Sequence, residues 1–590
     1  MSDRTELERK VTNEYNPREV FKHVEHICKL GERWSGTPAE DKEVDYIKEV
    51  CEKYGVPIEL FTADVFISYP VREPPRTPDK EPTLELLGPH KMIKCTTYAF
   101  GGSTPPAGIE GELVYVGLGH RKDYDSVNAA GKIALIDLGE MFRGEKVTFA
   151  EKNGVIGQIH VQYVPGELQT GNAAQLFGGP ADSEDYAKLP RSPIVCISKE
   201  DGEYIKQLMK QGSVRVRMKV ECWRGWKKVR IPVATVRGTE DPERHVLVYG
   251  HIDTWHEGAT DNASGNAFML EMARVLAKHR NKLKRSVKLA WWPCHSTGMY
   301  SASTWYAENF WEDVRDNMIA YFTSDSPGTK GGVVYTSTAF PELRNFHVGA
   351  VREVIGKDPT VVSFRQKTGD VSFLNAGVPL VSDSLRQAPE VMSKLPYGAT
   401  PWWHTEKDTI DKVDLEGSGK IQFDTYLTSI IRLCNSDVLP FEFVTVADDM
   451  LKALEKLSDG AKGVFDLKRL AERTCEFKAS AERLQTACSR SGLNAEERRI
   501  INKVLIGVSR ILNPVLYTVN DRYAQDPYHT LMLKEISMFP HLHAAMGLHA
   551  LPEDSDEFHS LKKKLTRERN RVLDAIDEAI DIIETTLARL

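Results

Sequence analysis

The sequence predicts an α/β fold whose sheet is covered by helices on both faces. From residue 246 to about residue 435, short apolar runs alternate with segments in which apolar residues recur at helical spacing. Several of these runs end in a histidine or an aspartate. Ligands of open α/β sheets bind beside the carboxyl ends of the strands, so we expect the functional site at that edge.

The opening segment predicts two helices over residues 17–55, with a break at residues 34–38, and then a strand over residues 58–68. Prolines are dense in residues 70–82, which marks a domain boundary. Beyond it, the segments at residues 111–116, 131–137 and 142–147 resemble the protease-associated domain. We therefore predict an inserted β-rich protease-associated domain over residues 70–235. The α/β domain then takes residues 1–69 and 236–438.

A candidate metal site follows the apolar run at residues 245–249. His251 emerges where this strand ends, and Asp253 stands two residues on, where it can orient the imidazole. Asp261 directly precedes a helical pattern over residues 262–280, which holds its carboxylate rigidly. Imidazole with carboxylate favours zinc, manganese or iron over calcium. The alternative is that His251 and Asp261 only cap a strand and a helix.

Three later segments, at residues 287–296, 318–325 and 401–405, also place ligand-type residues after apolar runs. Together these motifs resemble the zinc exopeptidase family of aminopeptidases and glutamate carboxypeptidase II. The family pattern is His-x-Asp, a bridging Asp, a Glu-Glu pair, an Asp and a final His. The resemblance implies a mixed sheet and one or two divalent ions, zinc before manganese or iron. The metal ligands that it implies are His251, Asp261, Asp325 and His404.

The Glu-Glu pair of that family is absent. Members read roughly Trp-x-x-Glu-Glu-x-Gly, whereas this chain has His295 at the general-base position and Ser296 at the ligand position. Losing both carboxylates leaves less negative charge to hold two cations about 3.5 to 4 Å apart. We therefore expect one firmly held ion, with His404 and His295 or Cys294 recruited to it or to a weaker second ion.

His295 is predicted to act as a general base or a substitute ligand, since imidazole accepts a proton near neutral pH. The alternative is a packed histidine in a decayed site. Asp253 joins it as a catalytic residue. The residues that we place in the substrate pocket are Trp402, Trp403, Cys294, Ser296 and Asp370, with Tyr397 as a further aromatic neighbour. Core packing is the alternative for the aromatic residues and for Cys294.

The resemblance also implies a glutamate pocket that uses an arginine from the inserted domain. Residues 172–176 contain no arginine, and Trp403 stands where the family has a tyrosine before the last histidine. The sequence therefore disfavours the release of a C-terminal glutamate.

Residues 439–590 predict a helical domain with one apolar stripe. That stripe consists of Val572, Ile576, Ala579, Ile583 and Leu587. Residues 513–514 and 526–529 resemble the transferrin-receptor-like dimerisation domain, so we predict a homodimer. Packing of the stripe within its own bundle is the alternative.

Composition narrows the partners and the compartment. The 590 residues are 41% hydrophobic and 27% charged, with a net charge of −7 and no basic stripe. We expect neither nucleic acid nor a membrane as a partner, since no run approaches the roughly 18 apolar residues of a span. Nine cysteines without paired spacing favour reduced thiols and a cytoplasmic protein.

These features predict a metal-dependent hydrolase that cleaves an amide, peptide or related C–N bond in a small or short peptide-like substrate. In the simplest mechanism, His295 takes a proton from the attacking water. Two alternatives stay open. One is an inactive dimeric binding protein of the transferrin-receptor type, and the other is a metal-dependent lyase that acts on a non-peptide substrate.

Overall fold

The structure is a computed structural model that describes residues 4–362, 367, 369–395, 400–527 and 536–590. The predicted positions Tyr397, Tyr528 and His529 lie outside the described residues. The strands, in chain order, are β1 (Ile58–Tyr69), β2 (Thr83–Leu86), β3 (Lys91–Ile93), β4 (Cys95–Thr96), β5 (Tyr98–Ala99), β6 (Ile109–Tyr115), β7 (Ile133–Asp137), β8 (Gly157–Val161), β9 (Gly171–Asn172), β10 (Ile194–Ile197), β11 (Arg215–Lys219), β12 (Trp223–Val236), β13 (Asp241–His251), β14 (Arg285–Trp292), β15 (Met318–Thr323), β16 (Val334–Ala339), β17 (Thr360–Val362) and β18 (Leu380–Arg386).

Helices cover the strands and make up the C-terminal region. In chain order they are α1 (Glu6–Asn13), α2 (Pro17–Cys28), α3 (Pro38–Lys53), α4 (Arg143–Lys152), α5 (Ser183–Lys188), α6 (Lys199–Met209), α7 (Ser264–Lys278), α8 (Ser301–Asn309), α9 (Trp311–Asp316), α10 (Pro341–Ile355), α11 (Pro389–Met392), α12 (Ser418–Asn435), α13 (Phe443–Ala461), α14 (Lys468–Cys488), α15 (Ala495–Tyr517) and α16 (Asp556–Leu587).

The main sheet has eight strands in the order β1-β12-β14-β13-β15-β18-β16-β17. It is mixed, as predicted. Strands β14, β13, β15 and β18 run parallel, whereas β1 pairs antiparallel with β12, and β16 antiparallel with β18. In register, His251 faces Trp292, and β15 ends at Thr323 beside Tyr249. The carboxyl ends of three neighbouring strands therefore bring the candidate site residues to one edge.

A second eight-stranded sheet lies between β1 and β12 in the chain and confirms the β-rich insertion. Its order is β3-β2-β11-β6-β7-β8-β10-β4. Strand β12 begins at Trp223, and its residues 223–234 pair with the whole of β1. Residues 223–235 therefore belong to the main sheet. The prediction had placed them in the insertion. The sequence does not indicate the start of this strand, because residues 223–228 mix tryptophan with polar residues and are half-buried or exposed.

The C-terminal helices pack against one another and against the main domain. Four of the five residues of the predicted apolar stripe are buried, and the fifth, Leu587, is partly buried. They are covered by α14 and α15 of the same chain. Packing within the bundle therefore accounts for the stripe, and the homodimer stays a prediction.

Helix α15 joins the bundle to the main sheet. Among the described helices it is the one with the length and apolar content of a membrane span, and 72% of its most apolar window is buried inside the protein. Arg510 on this helix is buried and donates hydrogen bonds to the carbonyl oxygens of Arg315, Gly377, Val314 and Met318. The helix thus docks the C-terminal region onto the elements that flank β15.

Candidate active site

The four predicted metal ligands are linked by close side-chain contacts. His251 stands at the end of β13, and Asp261 lies in the turn before α7. The Nε2 atom of His251 is 2.9 Å from Oδ1 of Asp261 and 3.7 Å from Oδ1 of Asp325. The Nε2 atom of His404 is 3.1 Å from Oδ2 of the same Asp261. One carboxylate therefore lies between two imidazoles, which favours a working site over the inactive-scaffold alternative.

Backbone contacts aim both histidines at this centre. The Nδ1 atom of His251 donates to the carbonyl oxygen of Asp253 at 2.8 Å, and Nδ1 of His404 donates to the carbonyl oxygen of Thr170 at 3.1 Å. In the neutral form of each ring, these bonds leave the lone pair on Nε2, the atom that would bind a metal ion. Thr170 belongs to the inserted domain, so that domain helps to build the centre.

Asp408 positions Asp261 and was missed by the sequence analysis. Its carboxylate accepts hydrogen bonds from the backbone N–H of Asp261 at 3.0 Å and from the N–H and hydroxyl of Thr260 at 2.9 and 2.7 Å. Burial raises the pKa of Asp408 to about 7. It follows His404 by four residues, and a second acidic residue so close to a ligand histidine is the signal that could have identified it.

The charges at this centre depend on one another. Burial opposes protonation of His251, yet Asp261 and Asp325 hold its pKa well above the usual value. Burial would likewise raise the pKa of Asp261, but His251 and His404 hold it well below the usual range. The pKa of Asp325 is also lowered, chiefly by His251 against the effect of burial. Ionised carboxylates are thus available as ligands.

The donor set fits a divalent transition-metal ion. Two imidazole nitrogens and two carboxylates are the ligands that zinc, manganese and iron accept in proteins. The buried Nε2 atom of His251 also lies beside Asp261 without a hydrogen bond of good geometry. An unsatisfied nitrogen in such a cluster is what a metal ligand leaves when only protein atoms are considered.

Asp253 acts differently from the prediction. The carbonyl group of Asp253, rather than its carboxylate, orients His251. The carboxylate accepts hydrogen bonds from the backbone N–H groups of His295, Ser296 and Thr297 at 2.9, 3.0 and 2.8 Å, and from the Thr297 hydroxyl at 2.8 Å. It therefore shapes the turn that carries His295, and we now assign it a positioning role.

His295 forms a close pair with Asp370. Nδ1 of His295 is 2.7 Å from Oδ2 of Asp370, whose Oδ1 accepts a hydrogen bond from the Ser303 hydroxyl at 2.6 Å. Asp370 was predicted in the substrate pocket, but it is buried behind the histidine. A carboxylate on one ring nitrogen leaves the other, Nε2, as the acceptor, which is the arrangement of a general base.

The stacking of the His295 ring on the His251 ring helps to decide whether His295 is a general base or a metal ligand. One ring nitrogen of His295, one ring nitrogen of His251 and one carboxylate oxygen of Asp325 lie within 4.8 Å of one another. These distances alone would allow the three residues to share an ion. However, the rings of His251 and His295 are stacked, with centroids 3.9 Å apart and planes inclined by 15°. An ion binds imidazole in the ring plane, about 2.0–2.1 Å from nitrogen. Two nearly parallel rings share no such point, so the geometry favours His295 as the base.

Two predicted pocket residues behave as structural residues. Cys294 is fully buried, and burial, with Glu40 and Asp253 nearby, raises the pKa of its thiol well above the usual value. It is therefore a neutral buried thiol, and neither a thiolate ligand nor a pocket-lining group. Ser296 is 4% exposed, and its backbone oxygen accepts a hydrogen bond from Asn172 Nδ2 at 3.5 Å.

The two tryptophans divide their roles. Trp403 stacks on His404, with ring centroids 3.6 Å apart, and lines a small cleft of about 20 Å³. Trp402 donates from Nε1 to the hydroxyl of Thr260 at 3.2 Å, which supports the turn before Asp261. Trp403 thus lines a cleft, Trp402 supports the turn before Asp261, and their place in a substrate pocket stays a prediction.

Arg143 supplies a cationic group that the sequence analysis missed. It lines the same cleft, donates from Nε to the carbonyl oxygen of Asn172, and lies over the rings of Tyr98 and Phe142 at 5.3 Å. No carboxylate pairs with it among the residues that the structure describes. Arg143 stands at the start of α4, outside residues 172–176, and reaches the cleft from there. The expectation against the release of a C-terminal glutamate stays a prediction, since it also rests on Trp403 before His404.

Comparisons with known proteins agree with this architecture. Residues 233–426 match the model of peptidase family M28, and residues 109–205 match that of the PA domain. "Probable glutamate carboxypeptidase VP8" of Zea mays is 24% identical over 60% of this chain and 57% of its own length. "Probable glutamate carboxypeptidase AMP1" of Arabidopsis thaliana is 23% identical over 64% of this chain and 62% of its own length. The chain thus spans about three fifths of these relatives.

A solved structure shows the same fold. BSAP, a zinc aminopeptidase from Bacillus subtilis, superposes with a TM-score of 0.55 at 22% identity. The match covers 72% of this chain and 96% of that one. The mixed sheet and its covering helices are therefore shared with this enzyme.

Proposed function

We propose that this chain, which carries a peptidase family M28 domain and a PA domain, is a metal-dependent hydrolase that cleaves a peptide or amide bond. One observation carries the proposal. His251 contacts Asp261 and Asp325, and His404 contacts the same Asp261, beside a histidine that is itself paired with a carboxylate. The names of the relatives, all peptidases, support the same reaction.

The four ligands, His295 and Asp370 have different roles in the proposed hydrolysis. A divalent ion held by the four ligands would polarise the substrate carbonyl and lower the pKa of water. His295 accepts the proton of the attacking water through Nε2, and later delivers it to the leaving nitrogen. Asp370 holds Nδ1 of His295 and stabilises the imidazolium that forms between these two transfers. We propose zinc first, with manganese or iron as alternatives.

We propose a substrate that carries a free carboxylate near the bond to be cleaved. Arg143 has no acidic partner among the described residues and lies on the cleft wall with Trp403, next to His404. A guanidinium group in such a place binds a carboxylate with paired hydrogen bonds. We therefore propose a short peptide or N-acyl amino acid as the substrate, from which the C-terminal residue is released.

The test compares peptides with a free and an amidated C-terminus, incubated with the zinc-loaded protein. We expect release of the last residue from the free acids only, and loss of activity in His251→Ala and after chelation. Arg143→Met should raise KM for the free acids by about tenfold or more, since it removes a charge-assisted contact. Equal turnover of both peptide types would contradict the carboxylate contact, and absence of turnover in every peptide would contradict the reaction.

We also propose a homodimer in a reducing compartment such as the cytoplasm. All nine cysteines are free thiols, which supports the compartment. Light scattering on the purified protein measures the mass, and a monomer at micromolar concentration would contradict the dimer.

A further inference from the structure

A fully buried lysine, Lys367, precedes the catalytic-pair residue Asp370 closely in the chain. Among the residues that the structure describes, its Nζ atom donates hydrogen bonds to neutral oxygens. They are Oε1 of Gln525 at 2.7 Å, Oδ1 of Asn375 at 3.0 Å and the carbonyl oxygen of Val371 at 3.3 Å. The ammonium group is therefore buried among dipoles and makes none of these contacts with a carboxylate.

Holding a cation in this place is costly. An ammonium group that leaves water without a carboxylate partner loses its hydration. Burial accordingly lowers the pKa of Lys367 to about 8, against the opposing effect of Asp526. An apolar side chain of similar length would avoid this cost, and groups held at such a cost cluster at functional sites. The role of Lys367 is then to be sought in what its donors hold in place.

Gln525 follows α15 and joins Lys367 to Ser372. Its Oε1 accepts the hydrogen bond from Lys367, and its Nε2 donates to the carbonyl oxygen of Ser372 at 3.0 Å. A second link runs beside it, since Nδ2 of Asn375 donates to Oδ1 of Asp526 at 3.2 Å. Lys367 contacts both links, because it donates to Asn375 as well as to Gln525. It therefore ties the C-terminal region to the segment that follows Asp370.

From Ser372 the contacts continue to the proposed base. Oγ of Ser372 is 2.8 Å from Oγ of Ser303, and the Ser303 hydroxyl donates to Oδ1 of Asp370 at 2.6 Å. The other oxygen of this carboxylate, Oδ2, is 2.7 Å from Nδ1 of His295. Ser372, Ser303 and Asp370 are all buried. Lys367 and His295 are thus the two ends of one continuous series of polar contacts.

We propose that Lys367 is a positioning residue for the Asp370–His295 pair, and that through Gln525 it makes this pair depend on the C-terminal region. The inference rests on the proposed function, since it takes His295 as the base. Lys367 holds Gln525, Gln525 holds the backbone at Ser372, and that backbone sets the place of Asp370. Displacing a reacting group by about 1 Å can lower a rate by about 10²-fold.

The experiment measures kcat and KM of the zinc-loaded protein for N-acetyl-alanyl-alanine. Lys367→Met removes the three donors at similar length. We expect kcat to fall by about tenfold or more, with KM within about twofold and an unchanged zinc content, because the substrate and the ion are not contacted. A kcat within about twofold of that of the unmodified protein overturns the inference.

Lys146 on α4 gives a matched control. It is also fully buried, donates to the carbonyl oxygen of Leu118, and has a pKa that burial lowers to about 8. Lys146→Met should lower stability and leave kcat within about twofold. If it lowers kcat as much as Lys367→Met does, the effect belongs to the loss of any buried cation, and the inference is overturned.

A double variant tests whether Lys367 acts through Asp370. Lys367→Met in the Asp370→Asn background should lower kcat by less than about threefold further, because residues that act as one unit are not additive. Two losses that multiply in full overturn the inference.

Gln525→Glu is the second variant, and it serves if Lys367→Met fails to fold. It keeps the size and the acceptor toward Lys367, but it loses the N–H donor to Ser372, so kcat should again fall by about tenfold or more. An unchanged kcat in this variant overturns the inference.

Hydrogen exchange measured by mass spectrometry separates this inference from the proposed reaction. The N–H groups of Leu374, Gly377 and Val378 are hydrogen-bonded within the segment after Asp370. Their exchange should be faster in Lys367→Met and unchanged in Lys146→Met. That result in a protein without turnover supports the positioning and overturns only the proposed function. Unchanged exchange overturns the inference, and it leaves the proposed function intact where the peptide is hydrolysed.

Discussion

At the residue scale, this centre differs from the pattern of the zinc exopeptidases by having an imidazole where a carboxylate base is expected. A neutral histidine adds no negative charge to the centre, whereas a glutamate would. The negative charge is instead supplied by Asp370, which is paired with Nδ1 of His295, the ring nitrogen opposite the proposed proton acceptor Nε2. The pair can therefore accept a proton without competing with Asp261 and Asp325 for the ion.

The Asp370→Asn variant tests this pairing. An asparagine at this position can accept from Nδ1 but cannot stabilise the imidazolium, so we expect kcat to fall by about 10² or more. The zinc content should stay the same, because Asp370 contacts His295 and Ser303 and is not one of the predicted ligands. Steady-state kinetics and elemental analysis on the same sample measure both. A loss of zinc in step with the loss of activity would mean that His295 is a ligand.

The Ser296→Glu variant tests the number of ions. Ser296 occupies the position of the missing ligand carboxylate, so we expect about one tightly bound equivalent of zinc in the unmodified protein. The variant supplies a further anion and should bind two. Elemental analysis after dialysis measures this, and melting with and without zinc shows whether the variant is folded. Two equivalents in the unmodified protein would contradict the expectation.

The ligand residues could be predicted because they match a family motif, and His251 and Asp325 stand at or just after the ends of neighbouring strands, whereas Asp261 and His404 stand in turns. The partners of these residues could not. Asp408, Asp370 and Arg143 reach the site through turns and through a separate domain, and their distances from the ligands depend on packing that no spacing encodes. Asp253 shows the limit most plainly, since the predicted contact to His251 is made by its carbonyl oxygen.

At the element scale, the turn after β14 is held from two sides. Asp253 binds its backbone from the β13 side, and the hydroxyl of Ser35 accepts a hydrogen bond from the N–H of Cys294 at 2.7 Å. Ser35 in turn donates to Glu40 Oε1 at 2.8 Å, at the start of α3. The first helices of the chain therefore support the turn that carries the proposed base.

Glu40 makes this support depend on pH. Burial, together with the nearby Asp253, raises its pKa from 4.5 to about 8. Because the folded protein holds this proton more tightly than the unfolded chain, stability should fall as pH rises from about 4.5 to about 8. Glu40→Gln should flatten this part of the profile. Urea unfolding between pH 5 and pH 8 measures the slope, and an unchanged slope in the variant would contradict the role of Glu40.

At the scale of the whole molecule, the main sheet was predictable and the sequence limits of its parts were less so. Alternation of apolar strands and helices predicts the order of elements from β13 onward. It does not predict the start of β12, where half-buried and exposed residues alternate without an apolar run. Nor does it predict that α15 docks through hydrogen bonds from Arg510 to backbone carbonyl oxygens. The stripe on α16 predicts burial correctly, but it does not say which helix covers it.

The Arg510→Met variant tests the docking of the C-terminal region. Burial lowers the pKa of Arg510 to about 9, and its guanidinium group satisfies four carbonyl oxygens around β15. Removing it leaves these oxygens buried and unpaired, so we expect a loss of about 3 kcal/mol or more in unfolding free energy.

Arg499, which lies on the same helix, provides the control. It is exposed and pairs with Glu496 one turn away. Arg499→Met should change the stability by less than about 0.5 kcal/mol. Equal effects of the two variants in urea unfolding would mean that Arg510 does not anchor the helix.

The hydrogen bonds between Thr170 and His404 have a consequence for the inserted domain. Thr170 accepts from the imidazole and donates its own N–H to the carbonyl oxygen of His404, while Gln169 donates to the carbonyl oxygen of Trp403. Excising the insertion to obtain a minimal catalytic fragment would leave one imidazole free to rotate and remove a wall of the cleft. Any chimeric enzyme built on this fold should therefore keep the inserted domain and the main domain from the same parent protein.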